Sequence, residues 1–329
     1  MTRGFSTRPP ELGDAAAIAE LRNALHLVEI GSAFTDESEV RLELTDPDFA
    51  PASDALLVTD PSGGLVGSGS VFSNSPFTSI HMDNYVHPEW IGRGIGALLL
   101  GWSEGRAAEI ATQAPAGERV VIHHGVWQDA RPAERFFAEH GYGPVRYFRT
   151  MEVEMSEPPP EPSWPSRIEV RAMDAGTDDR AVYEADNEAF EDHWGHVPSS
   201  FESWKHDLLG AEGFDPTLCF IAMDGQAIAG VALCKVGVAD NPEGGYVDSL
   251  GVKRPWRRRG IALALLQHCL AEFFRRGYRR VTLEVDSENP TGAMQLYERA
   301  GMHPIRQWAV FQKVLIAGPS ASPDAPPIR

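Results

Sequence analysis

The stretch Tyr246 to Ala262, YVDSLGVKRPWRRRGIA, decides how the rest of the chain is read. Tyr246 to Val252 carries β-branched and aromatic residues in partial alternation, which predicts a strand, and Pro255 ends it. From Ile261 onward, Ile261, Leu265, Leu266, Cys269, Leu270 and Phe273 share one helix face, and Gly277 suits the stop. Between strand and helix stand Arg257, Arg258, Arg259 and Gly260. Guanidinium groups, backbone N–H groups and the positive end of a helix dipole converge there, a point suited to phosphate. The loop lacks the Gly-Lys-Ser/Thr of a Walker motif and the three-glycine spacing of a dinucleotide fingerprint. The bland alternative is a basic helix start that stays solvated.

Arg280 to Asp286 alternates Val281, Leu283 and Val285 with polar neighbours, a half-buried strand. A second helix is expected after it, with Asn289 as N-cap, Pro290 in the first helical position and Gly301 past the last periodic residue. Taken in order, Arg257-x-x-Gly260-x-Ala262 and ENPTGAMQLYERAGM resemble the two signatures of the GNAT acyltransferase superfamily. Ala293, Tyr297 and Gly301 stand in register with the second signature. Met302 replaces its usual phenylalanine, and Asn289 lies one residue upstream of its asparagine. The resemblance implies an acetyl-CoA site at Leu250, Gly251, Val252, Arg257, Arg258, Arg259, Gly260, Ile261, Ala262 and Asn289, with no metal.

A boundary shows at Ser156 to Ser166, SEPPPEPSWPS, where prolines hold the chain extended. Across it the first loop recurs: Val86, Trp90, Arg93, Gly94, Ile95 and Gly96 match Val252, Trp256, Arg259, Gly260, Ile261 and Ala262 at a constant spacing of 166 residues. Hairpins at Ala55 to Phe72 and Leu218 to Val236, and helices near Ala15 to Leu25 and Asp179 to Phe190, extend the repeat. The expected fold is α/β (α+β): two tandem GNAT domains, each a mixed, mostly antiparallel sheet flanked by helices. Residues 1–155 form the first domain, 156–166 a linker, 167–316 the second domain, and 317–329 a tail of disordered composition.

The copies differ where chemistry is expected. Ile91 stands opposite Arg257, Asp129 opposite Asn289 and Phe137 opposite Tyr297, and a phenyl ring donates no proton. The first half is therefore expected to be non-catalytic, with a weaker second CoA site at Val86, Arg93, Gly94 and Gly96. In the second half the resemblance implies an oxyanion donor around Leu250 to Val252. Tyr297 is the candidate acid for the leaving thiolate. Asp248 is the candidate base, with Glu284 on the next strand its rival. The segment EDHWGHVP offers Glu191, His193 and Trp194 for a cationic substrate, or an ordinary surface loop; its histidines lack a third ligand set for metal.

Composition narrows the partners. The 329 residues are 43% hydrophobic, and 47 acidic against 29 basic residues give a net charge of −18, which argues against nucleic acid or anionic membrane. A small-molecule amine acceptor fits that charge, and a basic peptide remains open. Also open is an acyl-CoA-binding regulator without turnover. The start MTRGFSTRPPELGD lacks an apolar signal core, and no 18-residue apolar run occurs, so a cytoplasmic monomer or homodimer is expected. Cys219, Cys234 and Cys269 lie in apolar patterns and are read as buried free thiols.

Overall fold

The computed structural model describes residues 4–289 and 291–318. The first half runs β1 (Ser6–Arg8), α1 (Ala15–Glu29), α2 (Glu37–Thr45), α3 (Pro51–Asp54), β2 (Ala55–Thr59), β3 (Leu65–Phe72), β4 (Ser79–Val86), α4 (Ile95–Ala111), β5 (Val120–Trp127), α5 (Arg131–Glu139) and β6 (Gly143–Glu154). The second repeats this with β7 (Ile168–Ala172), α6 (Asp179–Phe190), α7 (Phe201–Gly210), β8 (Phe220–Asp224), β9 (Ala227–Val238), β10 (Asn241–Val252), α8 (Ile261–Arg275), β11 (Arg280–Asp286), α9 (Ala293–Arg299) and β12 (His303–Ile316).

The two sheets are continuous. Among the described residues 12 strands join in the order β1-β2-β3-β4-β5-β12-β6-β11-β10-β9-β8-β7, with only β4/β5 and β10/β11 parallel. Each half gives its last strand to the other: β12 lies beside β5, and β6 beside β11. Where β6 and β12 meet, the register is self-complementary about the pair Phe148↔Trp308. Arg149↔Gln307 mirrors Tyr147↔Ala309, and Glu152↔His303 mirrors Gly143↔Gln312. The two central rings stack with centroids 4.5 Å apart at 12°. A pseudo-two-fold axis passes through that stack.

The apolar face of α8 explains the second core. Ile261, Leu265, Leu266, Cys269, Leu270 and Phe273 are buried against Val247 of β10 and Val281, Leu283 and Val285 of β11; full burial of such a side chain is worth about 1.5–3 kcal/mol. Contact is close enough that a Cβ at Gly245 would sit 2.5 Å from the Phe273 ring. All three cysteines are buried. No helix among the described residues is long and apolar enough to cross a membrane.

Some elements differ from their expected bounds. Strand β10 starts at Asn241, and α9 starts at Ala293 with Gly292 as its N-cap. Asn289 does not cap it. Its side-chain oxygen instead accepts the Thr291 N–H at 2.8 Å and the Thr291 hydroxyl at 2.6 Å, a turn that competes with helix for the same residues. Pro290 and residues 319–329 of the expected tail lie outside the described residues.

Candidate active site

Parallel pairing of β10 with β11 is confined to Gly245↔Val281 and Tyr246↔Thr282, and beyond these the strands part. The pairing of β10 with β9 is irregular at Asp248, passing from Val247↔Cys234 to Ser249↔Leu233. Such a bulge turns the strand and re-aims its side chains. Ser249 anchors it by donating its hydroxyl to Asp186 of α6 at 2.5 Å. Burial pushes the Asp186 carboxyl up to about 6, opposed by that hydrogen bond. Past Tyr246, the edge of β10 facing β11 is open, which places the Leu250 to Val252 backbone at the gap.

The candidate phosphate loop follows. Arg258 (φ +62°) and Gly260 (φ +87°) are both left-handed, and Gly92 (+81°) and Gly94 (+87°) repeat the conformation in the first half. Turns of this kind group successive N–H donors into an anion-binding concavity ahead of a helix start. Only the second loop puts a side chain on the first of these strained positions. Its charges are unequally available. Lys253 pairs with Glu188 at 2.5 Å, and Arg254 and Arg257 pair with Asp192, the latter at 2.6 Å. Arg257 also donates to the Val252 and Ala189 carbonyls, at 3.0 and 2.9 Å, so it braces the loop against α6. Among the described residues, Arg258 and Arg259 have no carboxylate within ion-pair distance. Their free guanidinium groups and the N–H concavity fit a pyrophosphate.

The two faces of the gap carry different chemistry. On the α8–α9 side, Tyr297 is 8% exposed in the core cluster, and burial raises its phenol to about 12. The opposite face holds Tyr246, Asp248 and Glu284. Asp248 is paired with Lys235 at 3.1 Å. Glu284, two residues past the last β11 pair, accepts the Trp308 indole N–H at 3.2 Å. Desolvation pushes its carboxyl up to about 7 against that hydrogen bond. Trp308 arrives on the exchanged strand β12, and nothing local to Glu284 in the sequence announces it; Asp186 lacks a signal likewise.

The segment after α6 divides. His193 packs on Phe190 with centroids 4.3 Å apart and lies 3.4 Å from the Asn289 amide nitrogen. Trp194 reaches to the first half, against His123 at 5.5 Å and beneath Arg146 at 5.9 Å. Glu191 is exposed; its neighbour Asp192 takes the arginines.

In the first half, Phe137 is buried against His124 with centroids 4.4 Å apart. Arg93 lies over the Trp90 ring at 4.4 Å, and Ile91 is exposed. No group of three or more potential metal ligands occurs among the described residues.

Repeated strand-loop-helix units, parted parallel strands and a left-handed loop opening a helix define the GNAT acetyltransferase fold in tandem, and the chain belongs to the GNAT acetyltransferases. The Acetyltransferase (GNAT) family profile matches residues 180–302. Among curated relatives, the mycothiol acetyltransferase of Geodermatophilus obscurus is 32% identical over 88% of this chain and 90% of its own length. That of Salinispora arenicola is 30% identical over 92% of each. Among solved structures, a GCN5-related N-acetyltransferase from Sphaerobacter thermophilus superimposes with a TM-score of 0.77 at 35% identity, covering 95% of this chain and 96% of the other. A tandem GNAT protein from the clavulanic acid biosynthesis pathway shares the fold, with a TM-score of 0.71 at 18% identity, covering 96% of this chain and 100% of its own.

Proposed function

We propose that this acetyltransferase moves an acetyl group from acetyl-CoA to a primary amine of a small molecule, and that residues 167–316 hold the catalytic site. The observation that carries the reading is the arrangement about one gap: a phenol on one face, an elevated carboxylate on the other, and two free arginines at its mouth. Coenzyme A, when bound, supplies the thioester. Arg258, Arg259 and the loop N–H groups hold its phosphates, and Leu250, Gly251 and Val252 offer backbone donors for the carbonyl oxygen.

An ammonium group must lose a proton before it attacks. Glu284 is the better base, because Lys235 holds Asp248 in an ion pair while the Glu284 carboxyl titrates near neutrality. Asp248 then serves to orient the amine. Tyr297 gives its proton to the departing sulfur. Burial that raises the phenol raises a thiol beside it as well, so the two remain matched. The first half, residues 1–155, serves as structural partner: its β6 flanks β11, and His123 and Arg146 support Trp194.

A second reading names the acceptor. Relatives called mycothiol acetyltransferase, aligned over nearly the whole chain, support a mycothiol precursor amine. Acetyl-CoA-dependent thiol release is the test, against polyamines, aminoglycosides, amino acids, cysteinyl-glucosaminyl-inositol and basic peptides, for the wild type and Tyr297→Phe. Release that needs one amine and Tyr297 supports the proposal. Acetyl-CoA binding without release for any acceptor favours a regulator.

A further inference from the structure

The first half keeps the backbone of the second cleft and loses two of the three loop arginines. A cavity of about 640 Å³ opens between its loop, the parted ends of β4 and β5, the last turn of α1, and α5. Apolar walls come from Val28, Ile91, Ala97, Trp127 and Phe136. Where the second loop has Arg257 as its brace and Arg258 free, this one has Ile91 and Gly92, and Asp129 replaces Asn289. Its one arginine, Arg93, lies on Trp90.

Polar side chains in the lining are His26, Glu29, Asn84, Tyr85, His124 and Asp129; of these Asn84 accepts from the Ser103 hydroxyl and His124 bonds the Met82 carbonyl. His26 is 3% exposed, boxed by Tyr85 at 5.6 Å and Trp127 at 6.4 Å, and its Nδ1 has no hydrogen-bond partner. Glu29 has no cation within ion-pair distance among the described residues. It stands on the last turn of α1, where the negative end of the helix disfavours a carboxylate. Burial pushes it up to about 7. A polyanion entering here meets Glu29 and an Asp129 paired with Arg131 at 3.6 Å, and the loop's Arg93 lies on Trp90, whereas an ammonium relieves Glu29 and gains aromatic faces. An apolar cavity with a few convergent polar groups is the usual form of a small-molecule site.

We propose that the N-terminal cleft binds an amphipathic amine, an apolar body carrying one ammonium group held at Glu29, in place of coenzyme A. Isothermal titration of the full chain with octylamine, octanol and acetyl-CoA tests it. Octylamine is expected to bind, octanol to bind at least roughly tenfold more weakly, and Glu29→Gln to weaken octylamine by a similar factor. Acetyl-CoA is expected to saturate at one equivalent in both proteins. Ala133→Phe, which fills the cavity, should abolish octylamine binding and leave the acetyl-CoA equivalent in place. Octylamine that fails to bind, octanol that binds as well, or octylamine indifferent to both substitutions would overturn the proposal. So would a second acetyl-CoA equivalent that Ala133→Phe removes.

Discussion

The two clefts share a backbone and differ in what they place on it. Left-handed turns at residues 92 and 94 reproduce those at 258 and 260 within about 20° in φ. Around these frames one cleft has Tyr297, Glu284 and free arginines, the other Phe137, Glu29 and an apolar wall. Duplication preserves the geometry that folding demands, while chemistry diverges wherever a side chain faces the gap.

That contrast is open to direct attack. Tyr297→Phe, which makes the second cleft resemble the first, is expected to lower turnover by roughly 10²-fold or more with little change in acetyl-CoA affinity. Steady-state rates and titration on one preparation would show it; unchanged turnover removes Tyr297 from the mechanism. Glu284→Gln should lower kcat/KM by about 10²-fold. In the wild type kcat/KM should climb as pH rises through about 7, the value to which burial pushes this carboxyl, and a profile flat between pH 6 and 8 assigns the base elsewhere.

Smaller effects sharpen the comparison of the loops. Arg258→Gly copies Gly92 onto the second loop. Losing one charge-assisted phosphate contact should weaken acetyl-CoA about tenfold. Relieving a left-handed non-glycine residue should at the same time stabilise the fold by about 1 kcal/mol. Affinity and melting temperature should therefore move in opposite directions. The smallest expected effect is on stability against pH. Glu284 is protonated more readily folded than unfolded, so its contribution is full below pH of about 4.3 and is lost as pH rises through about 7. Denaturant titrations of Glu284→Gln should show a shallower decline across that window.

Much of the second half was legible in the chain because its signals are local. Strand β11 falls on Arg280 to Asp286, α8 begins at Ile261, and α6 spans Asp179 to Phe190, each where apolar spacing placed it. The repeat was equally plain, since Val86, Trp90, Arg93, Gly94 and Ile95 recur as Val252, Trp256, Arg259, Gly260 and Ile261 at one spacing, with Gly94 and Gly260 both left-handed. What escaped depends on partners far apart in sequence. The duty of Arg257 is fixed by Asp192, Ala189 and Val252 together, and the elevation of Glu284 by burial beneath a strand that begins 19 residues later. Periodicity also places an apolar face without naming what covers it. The exchange of β6 and β12 was therefore invisible.

That exchange makes the chain thermodynamically indivisible. Unzipping β12 strips β5 and β6 at once, and losing β6 exposes β11 beside the gap, so neither half retains a complete sheet when the other melts. A protein with the length of two domains should accordingly unfold in one calorimetric transition, its calorimetric and van't Hoff enthalpies agreeing for the whole polypeptide. The proline-rich segment between the halves is then a tether joining two interlocked pieces, not a hinge between independent ones.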